Sequence, residues 1–289
     1  MKIKILIPVY NDWQSLFKLI DEIDKLQINE EFQISILIIN DASNHDRAIE
    51  EKKFKNIQSI KILNMIKNQG HARCIATGLK YLLEKDDFEY VIPMDGDGED
   101  RPEEIKVFLS KIENSNNKPI VGERVKRSED LKFKICYVLH KVFTLVFTGQ
   151  LIKFGNFTCL PKSVVEKMIN EKATWNSFSG SLKKIERNLV SIPSMRGKRY
   201  FGPSKMSFYN LIKHSLSIIS VFRKTFLIRS ALFIILYILL IKSNASIITA
   251  IPLVFLLIAV YAISNLAMRE SMEEFDKALS NINDIENIK

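Results

Sequence analysis

Short apolar runs alternate with amphipathic stretches over the first two thirds of the chain, and two long apolar stretches follow. Residues 3–10 read as a buried strand that breaks at Pro8, after which Asn11 or Asp12 can cap a helix with Leu16, Leu19, Ile20 and Ile23 on one face. Residues 33–39 predict a second strand that ends in Asn40-Asp41-Ala42-Ser43, with a helix expected from Asp46. Residues 60–63 make a third strand, and Asn68-Gln69-Gly70-His71 leads into a helix reaching about Leu83. Residues 90–94 form a fourth strand, a helix opens near Pro102, and residues 119–121 form a fifth strand. Strands alternating with helices predict βαβ units, hence an α/β fold with a mostly parallel sheet covered on both faces. The polar loops at 40–43 and 95–100 both follow strands, so they belong on one edge of that sheet.

The later pattern is less regular. Residues 122–127 read as a basic connection and 133–154 as a long, mostly apolar helix, either of the core or lying in a membrane interface. Gly155-Asn156-Phe157-Thr158 ends it, and Pro161 starts another helix. Residues 181–224 carry ten Lys/Arg against one acid, Glu186, and residues 196–205 read as a cationic loop. From Ser207 a helix carries Phe208, Leu211, Ile212, Leu216, Ile219 and Phe222 as an apolar stripe beside Lys213, Arg223 and Lys224, which suits a membrane surface. Residues 226–241 are apolar apart from Arg229, which is close enough to the end to snorkel, and residues 243–268 carry no charge. About 20 residues suffice to span a bilayer, so Lys242-Ser243-Asn244 becomes the turn of a hairpin, with Pro252 tolerable inside its second helix. The basic bias puts both chain ends in the cytoplasm, at the cytoplasmic (inner) membrane. The expected division is a cytosolic domain at 1–205, a juxtamembrane amphipathic helix at 206–225, a transmembrane hairpin at 226–268 and a cytosolic tail at 269–289. The tail reads as a short helix on Met272, Phe275 and Leu279, without chemistry.

Composition sharpens this picture in two ways. The 47% hydrophobic content of the 289 residues is high for a wholly soluble protein, and the excess lies late in the chain. The net charge of +9 admits nucleic acid, anionic lipid or a phosphorylated substrate. The cations cluster beside the apolar hairpin and lack a base-stacking platform, which disfavours nucleic acid. Three cysteines, Cys74, Cys136 and Cys159, form no Cys-x-x-Cys pair and suit a reduced compartment. No signal peptide is expected, because the first apolar run is too short for one. His71 and His140 stand alone and suit polar or interfacial roles better than metal ligation.

The candidate chemistry sits in Asp95-Gly96-Asp97-Gly98, at the C-terminal end of the fourth strand. Two carboxylates one residue apart are hard ligands that suit Mg²⁺ or Mn²⁺, and such a cation would bridge the phosphates of a nucleotide diphosphate. The plain alternative is a solvated acidic turn.

The chain resembles the family-2 glycosyltransferases of the GT-A fold, and most of all the dolichyl- and polyprenyl-phosphate sugar synthases with a C-terminal pair of membrane helices. The residues that carry the resemblance, in the family's order, are Ile7-Pro8-Val9-Tyr10-Asn11, Asn40-Asp41-Ala42-Ser43, Asn68-Gln69-Gly70-His71 with Ala76 and Gly78, Asp95-Gly96-Asp97, Arg196 with Arg199, and Gly202-Pro203-Ser204-Lys205. The resemblance implies that Pro8, Tyr10 and Asp41 line a nucleotide pocket, with Asp41 receiving base N–H groups. It implies that Asp95 and Asp97 flank the metal and diphosphate, as the catalytic pair. It places the lipid phosphate at Arg196, Arg199, Ser204 and Lys205, where guanidinium groups clamp phosphate bidentately. The partners it implies are a nucleotide-diphosphate sugar (a UDP-hexose on family grounds), polyprenyl phosphate or another lipid acceptor, and the membrane; homo-oligomerisation stays open.

An ionised acceptor phosphate needs no general base, so direct displacement with metal-assisted departure of the nucleotide would invert the anomeric carbon. A hydroxyl acceptor, such as a lipid-linked glycan in cell-surface polysaccharide synthesis, calls for a carboxylate base, and residues 160–184 offer only Glu166 and Glu171. The Gln-x-x-Arg-Trp motif of processive synthases is absent, so single-sugar transfer is expected. Two departures from the family pattern stand out. Ala42 follows Asp41 where Gly is usual, and Gly155-Asn156-Phe157 and Trp175-Asn176-Ser177-Phe178 do not match those synthases; Trp175 and Phe178 read as core. A non-catalytic membrane scaffold, needing only the hairpin and the basic face, is the reading from a different class.

Overall fold

The computed structural model describes residues 1–45, 54–126, 131–203 and 208–289. The first part of the chain runs β1 (Lys2–Val9), α1 (Trp13–Asp24), β2 (Gln33–Asn40), β3 (Ile57–Met65), α2 (His71–Lys85), β4 (Tyr90–Pro93), α3 (Glu104–Lys111) and β5 (Ile120–Lys126). It continues through α4 (Leu131–Thr148), β6 (Phe154–Pro161), α5 (Lys162–Ile169), α6 (Phe178–Ile185) and β7 (Val190–Met195). Next come α7 (Phe208–Ser220), α8 (Arg223–Ile241) and α9 (Ile247–Ala267), and finally α10 (Met272–Asp276) and β8 (Ile282–Asn287).

The strands form one sheet in the order β7-β5-β6-β4-β1-β2-β3-β8. β1 pairs in parallel with β2 on one side and β4 on the other, and β3 extends the parallel set. β1 and β2 are buried almost end to end because helices cover both faces, which explains their unbroken apolar runs. The period of two sorts their side chains. Ile3, Ile5 and Ile7 pack with Leu16 and Leu19 of α1 and Phe108 of α3, whereas Leu6 and Leu37 pack with Leu79 and Leu82 of α2. The chain turns to opposite sides of β1 at this point, so the loops after β1, β2 and β4 converge on one edge.

Several elements differ from the pattern-based reading. β1 does not break at Pro8 but runs on to Val9, with Pro8 buried and paired with Ile39. Residues 122–126 are not a connection; they continue β5, held between β6 and β7. α4 stops at Thr148, and the stretch that was to end it is β6, antiparallel to β4 and β5. The tail is more than a helix, because β8 closes the sheet edge antiparallel to β3. The helix expected from Asp46 lies outside the described residues.

α8 and α9, at 19 and 21 residues, are about 28 and 32 Å long, enough to cross a hydrocarbon core of about 30 Å. Large apolar side chains such as Leu236, Leu240, Ile247 and Phe255 stand exposed along both. Arg229 does more than snorkel: its guanidinium donates to the carbonyls of Leu145 and Val146 at 3.3 and 2.8 Å, satisfying the last turn of α4. Phe143 and Phe147 of α4 pack against Phe226 of α8. The apolar stripe of α7 divides: Ile219 is buried, and Leu211 and Ile212 stay exposed.

Beyond the hairpin, Phe275 of α10 stacks on Trp175 with ring centroids 5.4 Å apart, and Trp175 Nε1 donates to Glu274 at 2.9 Å. Both rings are buried, so the tail is part of the core. Phe275→Ala is expected to destabilise the protein by about 3–5 kcal/mol. A double-mutant cycle with Trp175→Ala, read by thermal unfolding in detergent, is expected to show coupling of about 0.5–1.5 kcal/mol.

Candidate functional site

Asp95 and Asp97 follow the last residues of β4, beside the ends of β1 and β2. Gly98 turns the loop with φ of +87°, and a Cβ there would strike the ring of Tyr200 at 2.4 Å. The Asp95 N–H donates to Asp100 Oδ2 at 2.9 Å, and the Glu99 N–H donates to Asp97 Oδ1 at 2.9 Å. Four acids therefore occupy six consecutive positions, Asp95 to Asp100.

Cations face them from separate elements. Arg199 donates to Asp97 Oδ2 at 2.6 Å and also to Asp12, at the head of α1. Arg196 is paired with Glu99. The charge of Arg124, on β5, bears on both Asp95 and Asp100, and His71 Nε2 lies 3.3 Å from Asp95 Oδ1. Burial pushes the Asp95 carboxyl up, but the charges of His71, Arg196 and Arg124 and a hydrogen bond from Asn156 outweigh it and hold the group below the usual range. Asp97 is pushed up to about 6, by burial first and then by the charge of Asp95, against the pull of Arg199 and Arg196. Burial and the charge of Asp95 hold Asp100 well above the usual range.

The other expected residues divide. Tyr10 is 44% exposed at the end of β1, open to a ligand. Pro8 is buried inside the strand and offers no surface, so it shapes the end of β1 and does not line a pocket. Asp41 is only 4% exposed. Its two carboxylate oxygens accept the N–H groups of Gln69 and Gly70 at 2.6 and 2.9 Å, tying β2 to the start of α2. A base would have to share a carboxylate already engaged by backbone. Arg196 and Arg199 are brought to the acidic loop, whereas Ser204 and Lys205 lie outside the described residues. Arg124, Asn156 and Asp12 were missed, because Arg124 lies where β5 continues past the predicted strand, Asn156 lies on β6, which read as a helix end, and Asp12 read as a plain helix cap.

Asn11 knits the neighbouring loops. Its N–H donates to Ser43 Oγ at 2.9 Å, and its side-chain oxygen accepts from the N–H of Asn44 at 3.0 Å. Ala42 holds φ of +56°, the left-handed region where glycine is favoured. At that position the chain thus holds an alanine in the strained left-handed region.

The sheet with its acidic loop after β4 is that of the GT-A class, and comparison with known proteins takes the assignment further. Residues 4–170 match the model of Glycosyl transferase family 2, so the chain belongs to that family. It is 27% identical over 221 residues to an undecaprenyl-phosphate 4-deoxy-4-formamido-L-arabinose transferase of Klebsiella pneumoniae subsp. pneumoniae, covering 73% of this chain and 64% of that one. The chain thus spans a little under two thirds of that relative's length. Among solved structures it is similar to glucosyl-3-phosphoglycerate synthase from Mycobacterium tuberculosis in complex with Mn²⁺, UDP-glucose and phosphoglyceric acid, with a TM-score of 0.53, 11% identity and coverage of 78% of this chain and 79% of that one. It is also similar to residues 1–349 of S. aureus TarS, with a TM-score of 0.50, 13% identity and coverage of 97% and 88%. At these identities the likenesses speak for the fold.

Among the described residues no group of three or more His, Cys, Asp or Glu side chains could hold a metal. A divalent cation would therefore rest on Asp95 and Asp97 with its remaining ligands from diphosphate and water, as Mg²⁺ and Mn²⁺ accept. The donor set fits: both side chains offer hard oxygens, the kind that Mg²⁺ and Mn²⁺ prefer.

Three outcomes are expected. Divalent-cation affinity measured with UDP present falls about tenfold per pH unit below about pH 6, as Asp97 takes up its proton. Arg199→Ala moves that fall to higher pH, because the arginine is the main charge pulling Asp97 down. Ala42→Gly raises stability by up to about 1 kcal/mol in thermal unfolding, by relieving the left-handed alanine.

Proposed function

We propose that this protein is a membrane-anchored inverting glycosyltransferase that moves one sugar from a nucleotide-diphosphate sugar, a UDP-hexose in the first instance, to polyprenyl phosphate. The observation that carries the reading is the acidic loop of a family-2 domain faced by Arg124, Arg196 and Arg199, in a chain that leads straight into an apolar two-helix hairpin. The relative named for undecaprenyl phosphate supports the acceptor. The Mn²⁺ in the solved relative supports the metal.

In this reading Asp95 and Asp97 hold the metal and the donor diphosphate, and Tyr10 and the loop ordered by Asp41 receive the nucleoside. When bound, Mg²⁺ or Mn²⁺ supplies charge stabilisation for the departing nucleotide diphosphate. The arginines meet the acceptor phosphate. Arg199 uses three of its five N–H groups on Asp97, Asp12 and the Phe201 carbonyl, and Arg196 keeps a buried Nε without a partner. Both therefore retain donors for a phosphate while still paired to the acidic loop. Ser204 and Lys205 complete the phosphate site in the proposal. The acceptor oxygen is already ionised and attacks the anomeric carbon in line, with the nucleotide diphosphate leaving on the opposite side. Glu166 is exposed on α5, and Glu171 holds Lys184 and the turn at Ala173, which leaves a hydroxyl acceptor without an evident base in that stretch. Residues 1–205 form the cytosolic catalytic part, 206–225 the surface helix and 226–268 the hairpin in the cytoplasmic membrane, with both chain ends in the cytoplasm.

The test is nucleotide release from a panel of sugar nucleotides by the full chain in detergent, with Mn²⁺ and with or without undecaprenyl phosphate. Release is expected to require the lipid and to fall about 10²–10³-fold in Asp97→Ala. Equal release by wild type and Asp97→Ala, or release indifferent to the lipid, would overturn the reading.

A further inference from the structure

One side chain of the sheet domain bonds both feet of the hairpin. Asn176 lies in the turn between α5 and α6, and Phe178 and Leu182 of α6 belong to the same core as Leu6 and Leu79. The asparagine is 3% exposed. Its Nδ2, which carries two hydrogens, donates to Ser220 Oγ at 2.9 Å and to the Leu266 carbonyl at 3.2 Å. Ser220 is the last residue of α7, just ahead of α8, and Leu266 is the last but one of α9. The two acceptors are 44 and 90 positions away in sequence. The Ser220 hydroxyl gives its own hydrogen to the Ser217 carbonyl at 2.8 Å, so its oxygen is placed to accept from the amide. The seam is close: a Cβ on Gly180 of α6 would meet Val221 Cγ2 at 2.8 Å and the Ile218 carbonyl oxygen at 3.3 Å.

We propose that Asn176 is a positioning residue for the lipid acceptor: by bonding both feet of the hairpin to α6, it fixes where the bilayer surface lies relative to Arg196 and Arg199. This rests on the functional reading above and adds to it the residue that aligns membrane and site. A sugar nucleotide arrives from water and is indifferent to that alignment. A polyprenyl phosphate is held by its chain in the bilayer, so its headgroup stays at one depth. A hairpin free to tilt would keep the arginines at that depth for only part of the time, and the apparent affinity for the lipid would fall by that fraction. The rings of Phe143, Phe147 and Phe226 also hold α8, but apolar contact has no preferred direction. The two bonds of the Asn176 amide are directional, and one planar group makes both.

The experiment is sugar transfer by the full chain in nanodiscs that contain undecaprenyl phosphate, with Mn²⁺ and the sugar nucleotide that the release panel selects. The proteins are wild type, Asn176→Leu, Ser220→Ala and the double variant, each checked by thermal unfolding. Asn176→Leu keeps the side chain's approximate size and loses both bonds, and Ser220→Ala removes one acceptor. In Asn176→Leu the KM for undecaprenyl phosphate is expected to rise about tenfold or more. Its KM for the sugar nucleotide is expected within about threefold of wild type, because the donor site is untouched. Ser220→Ala is expected to raise the lipid KM by a smaller factor, and the double variant to match Asn176→Leu, as both changes break one contact. An unchanged lipid KM in a folded Asn176→Leu overturns the proposal. So does an equal rise in both KM values, which marks a general loss of structure. Should Asn176→Leu unfold, Ser220→Ala decides alone by the same two readings. A wild type that transfers no sugar to the lipid overturns the functional reading and this one together.

Discussion

Negative charge crowded at the end of one strand is the constraint on which the rest of the structure depends. Asp95, Asp97, Glu99 and Asp100 lie within six residues; Asp100 is buried and the other three are partly buried. Burying carboxylates is costly unless they are paired. The chain meets that cost with basic side chains drawn from distant segments: His71 from the head of α2, Arg124 from β5, and Arg196 and Arg199 from the loop after β7. Arg199 also reaches Asp12, so the ends of β1 and β4 share one counter-charge. Asp97 and Asp100 are nonetheless raised, by burial first and then by the charge of Asp95.

The same contacts fix the loop that leads towards the membrane. Tyr200 lies against Gly98 with its hydroxyl donating to Glu22, and the N–H of Gly197 donates to the Glu99 carbonyl at 2.8 Å. Residues 197–200, on the way from β7 towards the hairpin, are therefore built onto the acidic loop.

Much of this was legible in the sequence, and the limits have physical causes. The parallel strands β1, β2 and β4 were plain because burial on both faces leaves unbroken apolar runs bounded by polar loops. Asp95 and Asp97 stood out only within the ordered set of motifs, because an Asp-x-Asp pair after a strand is by itself also a common acidic turn. β6 and β7 were not, because Phe-Gly-Asn-Phe-Thr and Val-Ser-Ile-Pro-Ser mix turn formers into a period of two. Asn156 was lost with β6, and Arg124 with the part of β5 beyond Val121 that read as a basic connection. Asp41 shows a different limit: its place at the end of β2 was readable, but its engagement by the backbone of Gln69 and Gly70 depends on a loop 28 residues further on. β8 carries Asn, Asp and Glu on an edge, so its pairing partner defines it more than its composition.

That last strand carries a consequence for how the protein comes into being. Asn64 on β3 meets Glu286 on β8 across 222 positions of sequence, and both spans lie between them. During synthesis the edge of β3 stays bare until the hairpin and the residues of β8 have both been made. Completion of the catalytic sheet thus serves as a report that the hairpin has returned its chain to the side on which it began. A molecule whose second helix failed to come back would leave β8 and Phe275 across the bilayer from their partners, with an open strand edge for quality control to find.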